Sequence, residues 1–86
     1  MNPRTAEELT QHIRSQLAER NHLEIDEIDA DENLLTSGLV DSVGMMRLIN
    51  DVEDLLDLEV PAPGLVPQNF RTIAVMAQYL VGLVGT

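Results

Sequence analysis

The sequence predicts an all-α fold: a small bundle of three main helices plus a short helix, with a long first connection. Three observations lead there. Apolar residues recur at three- and four-residue spacing in three separate stretches, the pattern of a helix with one buried face. Each stretch opens at a residue suited to capping: Thr5, Asp41 or Thr72. Nowhere do apolar and polar residues alternate with period two for long enough to make a sheet, and no segment repeats.

The first helix is expected from about residue 5 to 20. Thr5 followed by Glu8 fits a capping box, Ala6, Leu9, Ile13 and Leu17 share a face, and Asn21-His22 ends the run. Residues 21–40 place Leu23, Ile25 and Ile28 among acids, then Leu34, Leu35 and Leu39 around Ser37-Gly38. A featureless connection of that length is unusual in a compact domain. It is therefore expected to be pinned to the core by its leucines and isoleucines and to hold a helical turn. The second helix starts at Asp41-Ser42 and runs to about Asp57, with Asp41 as its N-cap. Pro61 and Pro63 stop any continuation and Gly64 marks a turn. A short helical turn is expected around Pro67–Phe70. Thr72 then caps a last helix through Ile73, Met76, Ala77, Leu80 and Val84, whose end Gly82 and Gly85 loosen.

Eighty-six residues make one domain, taken as 1–86. Hydrophobic residues are 44% of the chain, too many for a disordered one, and the aromatics are only Phe70 and Tyr79, so the core must be aliphatic. Fifteen acids against five arginines leave a net charge of −10 with no lysine. That balance argues against nucleic acid and against an anionic membrane surface. No apolar run approaches the ~20 residues of a membrane span, so no membrane insertion is expected. The start MNPRTAEEL lacks a signal-peptide core, so the cytoplasm is the expected location. Without cysteine there is no disulfide, thiolate metal site or cysteine nucleophile.

The charge is concentrated. Residues 1–23 balance Glu7, Glu8 and Glu19 against Arg4, Arg14 and Arg20, and residues 60–86 hold only Arg71. Residues 24–59 set twelve acids against Arg47 alone. Such a stretch serves solubility by itself; the sharper reading is a docking surface for basic partners.

Turned at about 100° per residue, the second helix puts Met45, Leu48, Ile49, Val52, Leu55 and Leu56 on one arc. The other arc holds Arg47, Asn50, Asp51, Glu53, Asp54 and Asp57, with Ser42 at its edge. Val43 and Met46 also fall on the polar side, within about one turn of Ser42. Single exposed apolar residues are ordinary, but two beside one serine and ringed by acids are better explained as a contact site. A serine at a helix start usually serves as a cap. Here Asp41 fills that role, which leaves the Ser42 hydroxyl free to accept a phosphate ester at the positive end of the helix. Nothing nearby makes Ser42 a nucleophile in its own right. His12 and His22 are distant in sequence, and neither a G-x-S-x-G elbow nor an oxyanion motif is present. The chain is therefore not expected to be an enzyme, and another protein must supply the base.

The segment SGLVDSVGMMRLINDVEDLLDLEVP resembles the attachment segment of acyl and peptidyl (aminoacyl) carrier proteins. The resemblance extends over most of the chain, including the E-V-P exit of the second helix and the N-F-R-T-I run before the last. It implies that Ser42 receives 4′-phosphopantetheine from coenzyme A, with Asp41 helping to place the magnesium-coenzyme A complex in the phosphopantetheinyl transferase. The same resemblance implies cargo carried as a thioester, an acyl- or aminoacyl-loading ligase or adenylation enzyme, and a downstream transferase or synthase. Many fatty-acid carriers read G-x-D-S; here Leu39 and Val40 separate Gly38 from Asp41, a form closer to stand-alone aminoacyl carriers and some discrete polyketide carriers. A discrete, monomeric carrier is expected. Val43 and Met46 are the expected apolar docking contacts, with Glu53, Asp54 and Asp57 meeting basic groups of the partner.

Other readings fit less well. Asp29, Asp31 and Asn33 have the first spacings of a calcium loop, but Leu34 replaces its glycine and Val40 its glutamate, so no metal is expected. No carboxylate pair sits in the context of a hydrolase. Met45 and Met76 are more simply core residues than a soft contact surface. From another class, the alternative is an unmodified acidic helical adaptor that binds a basic partner through Val43 and Met46.

Overall fold

The computed structural model describes Pro3 and residues 5–84. Three helices, α1 (Ala6–Arg20), α2 (Ser42–Leu56) and α3 (Ile73–Val84), are linked by connections carrying 3-10 turns at Ile25–Glu27, Ala62–Gly64 and Pro67–Asn69. No strand occurs among the described residues.

The helix boundaries follow from local chemistry. At the start of α1 the Thr5 hydroxyl accepts the Glu8 N–H at 3.1 Å, and the Glu8 carboxylate accepts the Thr5 N–H at 3.2 Å. Two amides that the helix leaves without partners are thereby satisfied. The far end closes at Asn21, whose side-chain amide donates to the carbonyls of Leu17 and Leu39. Helix α2 ends on Asp57 in the left-handed conformation (φ 54°), and the next amide, Leu58 N–H, returns to the Glu53 carbonyl. Thr72 caps α3 by accepting the Val75 N–H at 3.1 Å. Helix α3 continues through Gly82 to Val84, which is exposed; Gly85 lies outside the described residues.

The core is largely aliphatic, with Phe70 the one aromatic ring buried in it among the described residues. Leu9, Ile13 and Leu17 of α1, Leu48 and Val52 of α2, and Ile73, Met76 and Leu80 of α3 are buried together, with α1 packed on α3. Met45 is buried as well, while Leu55 is half-buried at the margin of the cluster.

The first connection is pinned to this core, but by only part of the set the sequence implies, Ile28 and Leu34, with Val40 added. Ile28, Leu34 and Val40 are buried, whereas Leu23, Ile25 and Leu35 are exposed and Leu39 is half-buried. Backbone and arginine hydrogen bonds supply the remaining anchorage. Leu34 N–H donates to the Arg71 carbonyl at 2.9 Å, and Ala74 N–H donates to the Ala30 carbonyl at 3.0 Å. From α1, the Arg14 guanidinium donates to the carbonyls of Ile28 (2.8 Å) and Ile25 (3.0 Å). Ile25 thus contributes its carbonyl rather than its side chain. An ion pair between Arg20 and Asp51 joins α1 to α2; both side chains are about 40% exposed, so its contribution is about 0–1 kcal/mol.

The second connection turns tightly under Tyr79, whose ring meets Phe70 edge-on at 6.0 Å between centroids. Gly64 is buried there, and a Cβ on it would overlap the Tyr79 hydroxyl and stand 2.8 Å from Cζ. Neither the backbone turn nor the stiff ring yields easily. Gly64→Ala is therefore expected to destabilise the fold by about 1–3 kcal/mol in chemical denaturation, and adding Tyr79→Phe should recover part of that loss.

Candidate functional site

The start of α2 separates capping from chemistry. The Asp41 carboxylate accepts the Gly44 N–H at 2.6 Å, so the cap is supplied from outside the helix. Ser42, the first helical residue, is exposed, and no hydrogen bond reaches its hydroxyl among the described residues. Gly44 leaves room for the arrangement: a Cβ there would stand 3.0 Å from the Asp41 carboxylate oxygen. The other Asp41 oxygen has no hydrogen-bond partner among the described residues.

Val43 and Met46 are 67% and 52% exposed, beside Ser42 and away from the core, as the helical pattern predicts. The three acids placed with them differ from one another. Asp54 and Asp57 are exposed, and no hydrogen bond or ion pair reaches either carboxylate among the described residues. Glu53 is half-buried and accepts the Val60 N–H at 2.7 Å, tying the exit of α2 back onto the helix. Its charge therefore has a structural task that the helical pattern does not reveal. The candidate calcium-loop residues are engaged locally: Asp29 accepts the Asp31 N–H, and Asn33 accepts the amides of Leu35 and Thr36.

Beside Ser42 a cleft of about 310 Å³ opens between α2, Asn33 and Leu35 of the first connection, and residues 65–71. Its buried wall is Met45, Ile49 and Phe70, and its exposed rim includes Met46, Leu65 and Val66. Arg71 also lines it. Sequence reasoning does not find this cleft, because three separate segments build it. The available signal is that Arg71 is the lone charged residue after Glu59.

A family model described as "Phosphopantetheine attachment site" matches residues 7–80. The chain belongs to that family. Carrier domains of this kind bear 4′-phosphopantetheine and are not themselves catalytic. Among solved structures, a free-standing peptidyl carrier protein from an uncharacterized secondary metabolic pathway of Acinetobacter baumannii is 29% identical, with a TM-score of 0.78 over 95% of this chain and 99% of that one. The HMG-ACPI domain of the CurA module from Lyngbya majuscula is 22% identical and shares the fold, with a TM-score of 0.75 over 100% of this chain and 87% of that one. A comparison with curated sequences returns no match. No helix among the described residues is long and apolar enough to cross a membrane.

For this carrier domain, the local geometry makes Asp41 responsible for helix stability at the site. Asp41→Ala should lower the unfolding free energy by about 1 kcal/mol, and Asp41→Asn by less, since an amide oxygen still caps. Denaturant titration of the three proteins checks this.

Proposed function

We propose that the chain carries acyl or aminoacyl cargo on 4′-phosphopantetheine attached to Ser42 and delivers it to the enzymes of a biosynthetic pathway. The observation that supports this most is the exposed, unbonded Ser42 hydroxyl at the head of α2, with capping left to Asp41. When bound, the group supplies a thiol, which this cysteine-free chain lacks, and cargo rides on it as a thioester.

Attachment requires another enzyme. The Ser42 oxygen attacks the β-phosphorus of coenzyme A, a new O–P bond forms, and the P–O bond to the nucleotide breaks. Adenosine 3′,5′-bisphosphate leaves, and the hydroxyl proton passes to a base of the phosphopantetheinyl transferase. The free oxygen of Asp41 is available to the magnesium-coenzyme A complex in that encounter. A loading ligase or adenylation enzyme and a downstream transferase or synthase complete the partners. The likeness to a peptidyl carrier from a secondary metabolic pathway favours aminoacyl or peptidyl cargo within this range.

Co-expression with a phosphopantetheinyl transferase followed by intact-mass measurement tests the site. The protein should gain one prosthetic group, and Ser42→Ala should gain none while retaining its helical circular dichroism. Modification of the alanine variant, located by peptide mass spectrometry, would move the site elsewhere.

Val43 and Met46 give partners an apolar contact beside the tether, and Asp54 and Asp57 give them an acidic rim. Met46→Ala should mainly raise the dissociation rate from the transferase, whereas Asp54→Lys should slow association several-fold at low ionic strength. Both positions are exposed, so each change should move stability by no more than about 0.5 kcal/mol. Glu53→Lys is expected to destabilise by about 1–3 kcal/mol, because it strips the buried Val60 amide of its acceptor. Binding kinetics and denaturation on the same variants separate these effects.

A further inference from the structure

Ser42 and Arg71 line the same cleft, and Arg71 is the one charged residue among its described lining. The state of this arginine sets it apart. Arg14 is spent on the carbonyls of Ile25 and Ile28, and Arg20 is paired with Asp51. Arg47 is exposed on α2 outside the cleft. The fold uses the Arg71 carbonyl, which accepts the Leu34 N–H, but no hydrogen bond or ion pair reaches its guanidinium among the described residues. Its backbone is thus held in place, while its charge is unmatched in a chain carrying fifteen acids.

Modification at Ser42 would add a phosphodiester, one more negative charge on a chain already at −10. We infer that Arg71 is the counter-ion of that phosphodiester, and that the pair folds the prosthetic arm into the cleft as its resting site. This rests on Ser42 being the attachment point. A guanidinium matches phosphate oxygens in both charge and fork geometry. The gem-dimethyl and methylene segments of pantetheine suit the rim of Met46, Leu65 and Val66, while its amides remain hydrated at the open side. The cleft, about 310 Å³, lies at the small end of the ~300–1,000 Å³ range of ligand pockets, which fits a thin flexible arm. Tethering also matters. An arm fixed at the cleft's own edge has an effective concentration of order millimolar, so a weak contact suffices to seat it.

Comparison of amide chemical shifts before and after modification tests this on the full chain, with intact mass confirming attachment. In the unsubstituted protein, modification should shift the amides of Leu65, Val66 and Arg71 as well as those around Ser42. Arg71→Gln should lose most of the shift at Leu65 and Val66, and Arg71→Lys should retain part of it. The matched control Arg47→Gln should retain it all. Raising salt to about 1 M, where the Debye length falls to about 3 Å, should weaken the shift at Leu65 and Val66 in the unsubstituted protein. Shifts confined to the neighbours of Ser42, or an undiminished pattern in Arg71→Gln, would overturn the inference. Shifts at Leu65 and Val66 that appear only when a partner enzyme is added would assign the cleft to that partner and overturn it as well. If no mass is gained at Ser42, the attachment reading itself fails, and the mass spectrum shows that before any chemical shift is compared.

Discussion

A chain with two aromatic rings and a modest length must close its core mainly with aliphatic side chains, and its three short helices do not supply all of that core. Ile28, Leu34 and Val40 of the first connection, and Val60 and Phe70 of the second, are as deeply buried as the helical positions. The rest of the architecture depends on this recruitment. The helices are held at their mutual positions because the segments between them are part of what they pack against. The cleft beside Ser42 arises in the same way, since α2 supplies one wall and the two connections, through Asn33 and Leu35 and through residues 65–71, supply the rest.

Around Ser42 the chain divides labour among neighbours. Asp41 satisfies the helix amide, Gly44 keeps the space that this requires, and Ser42 is left unencumbered. A serine that had to cap its own helix would lose a hydrogen bond on esterification. Here the proposed modification of Ser42 would leave the cap intact. The acids farther along α2 are likewise not equivalent: Asp51 pairs with Arg20, Glu53 holds the Val60 amide, and Asp54 and Asp57 face solvent without partners. An acidic helix face is therefore a mixture of scaffold and surface, which matters for any charge-reversal study.

The helices were legible because their signals are local and periodic. The Thr5–Glu8 box, the Asp41 and Thr72 caps and the apolar arc of α2 each mark structure within a few residues of themselves. The turn at Pro67–Asn69 was legible for the same reason, proline fixing its first dihedral. In the irregular connection no period assigns faces, so Leu23, Ile25 and Leu35 could not be told from Ile28 and Leu34 by type. The Asp41-Ser42 dipeptide stands out in the sequence, and Ser42 is exposed at the head of α2. Arg71 does not stand out, because its importance comes from what lies across the cleft rather than along the chain. The acceptor role of Glu53 toward the Val60 N–H is not visible in the helical pattern, because it depends on the path of the chain after Asp57.

The two backbone bonds that fasten the first connection, Leu34 N–H to the Arg71 carbonyl and Ala74 N–H to the Ala30 carbonyl, join residues far apart in sequence: the middle of that connection to the entry and the first turn of α3. Neither can open by fraying of one helix. Their amide protons should exchange with solvent only when the bundle opens as a unit, at the slow limit set by global unfolding. By topology the segment around Leu34 is a loop, and by exchange behaviour it belongs with the innermost helical turns.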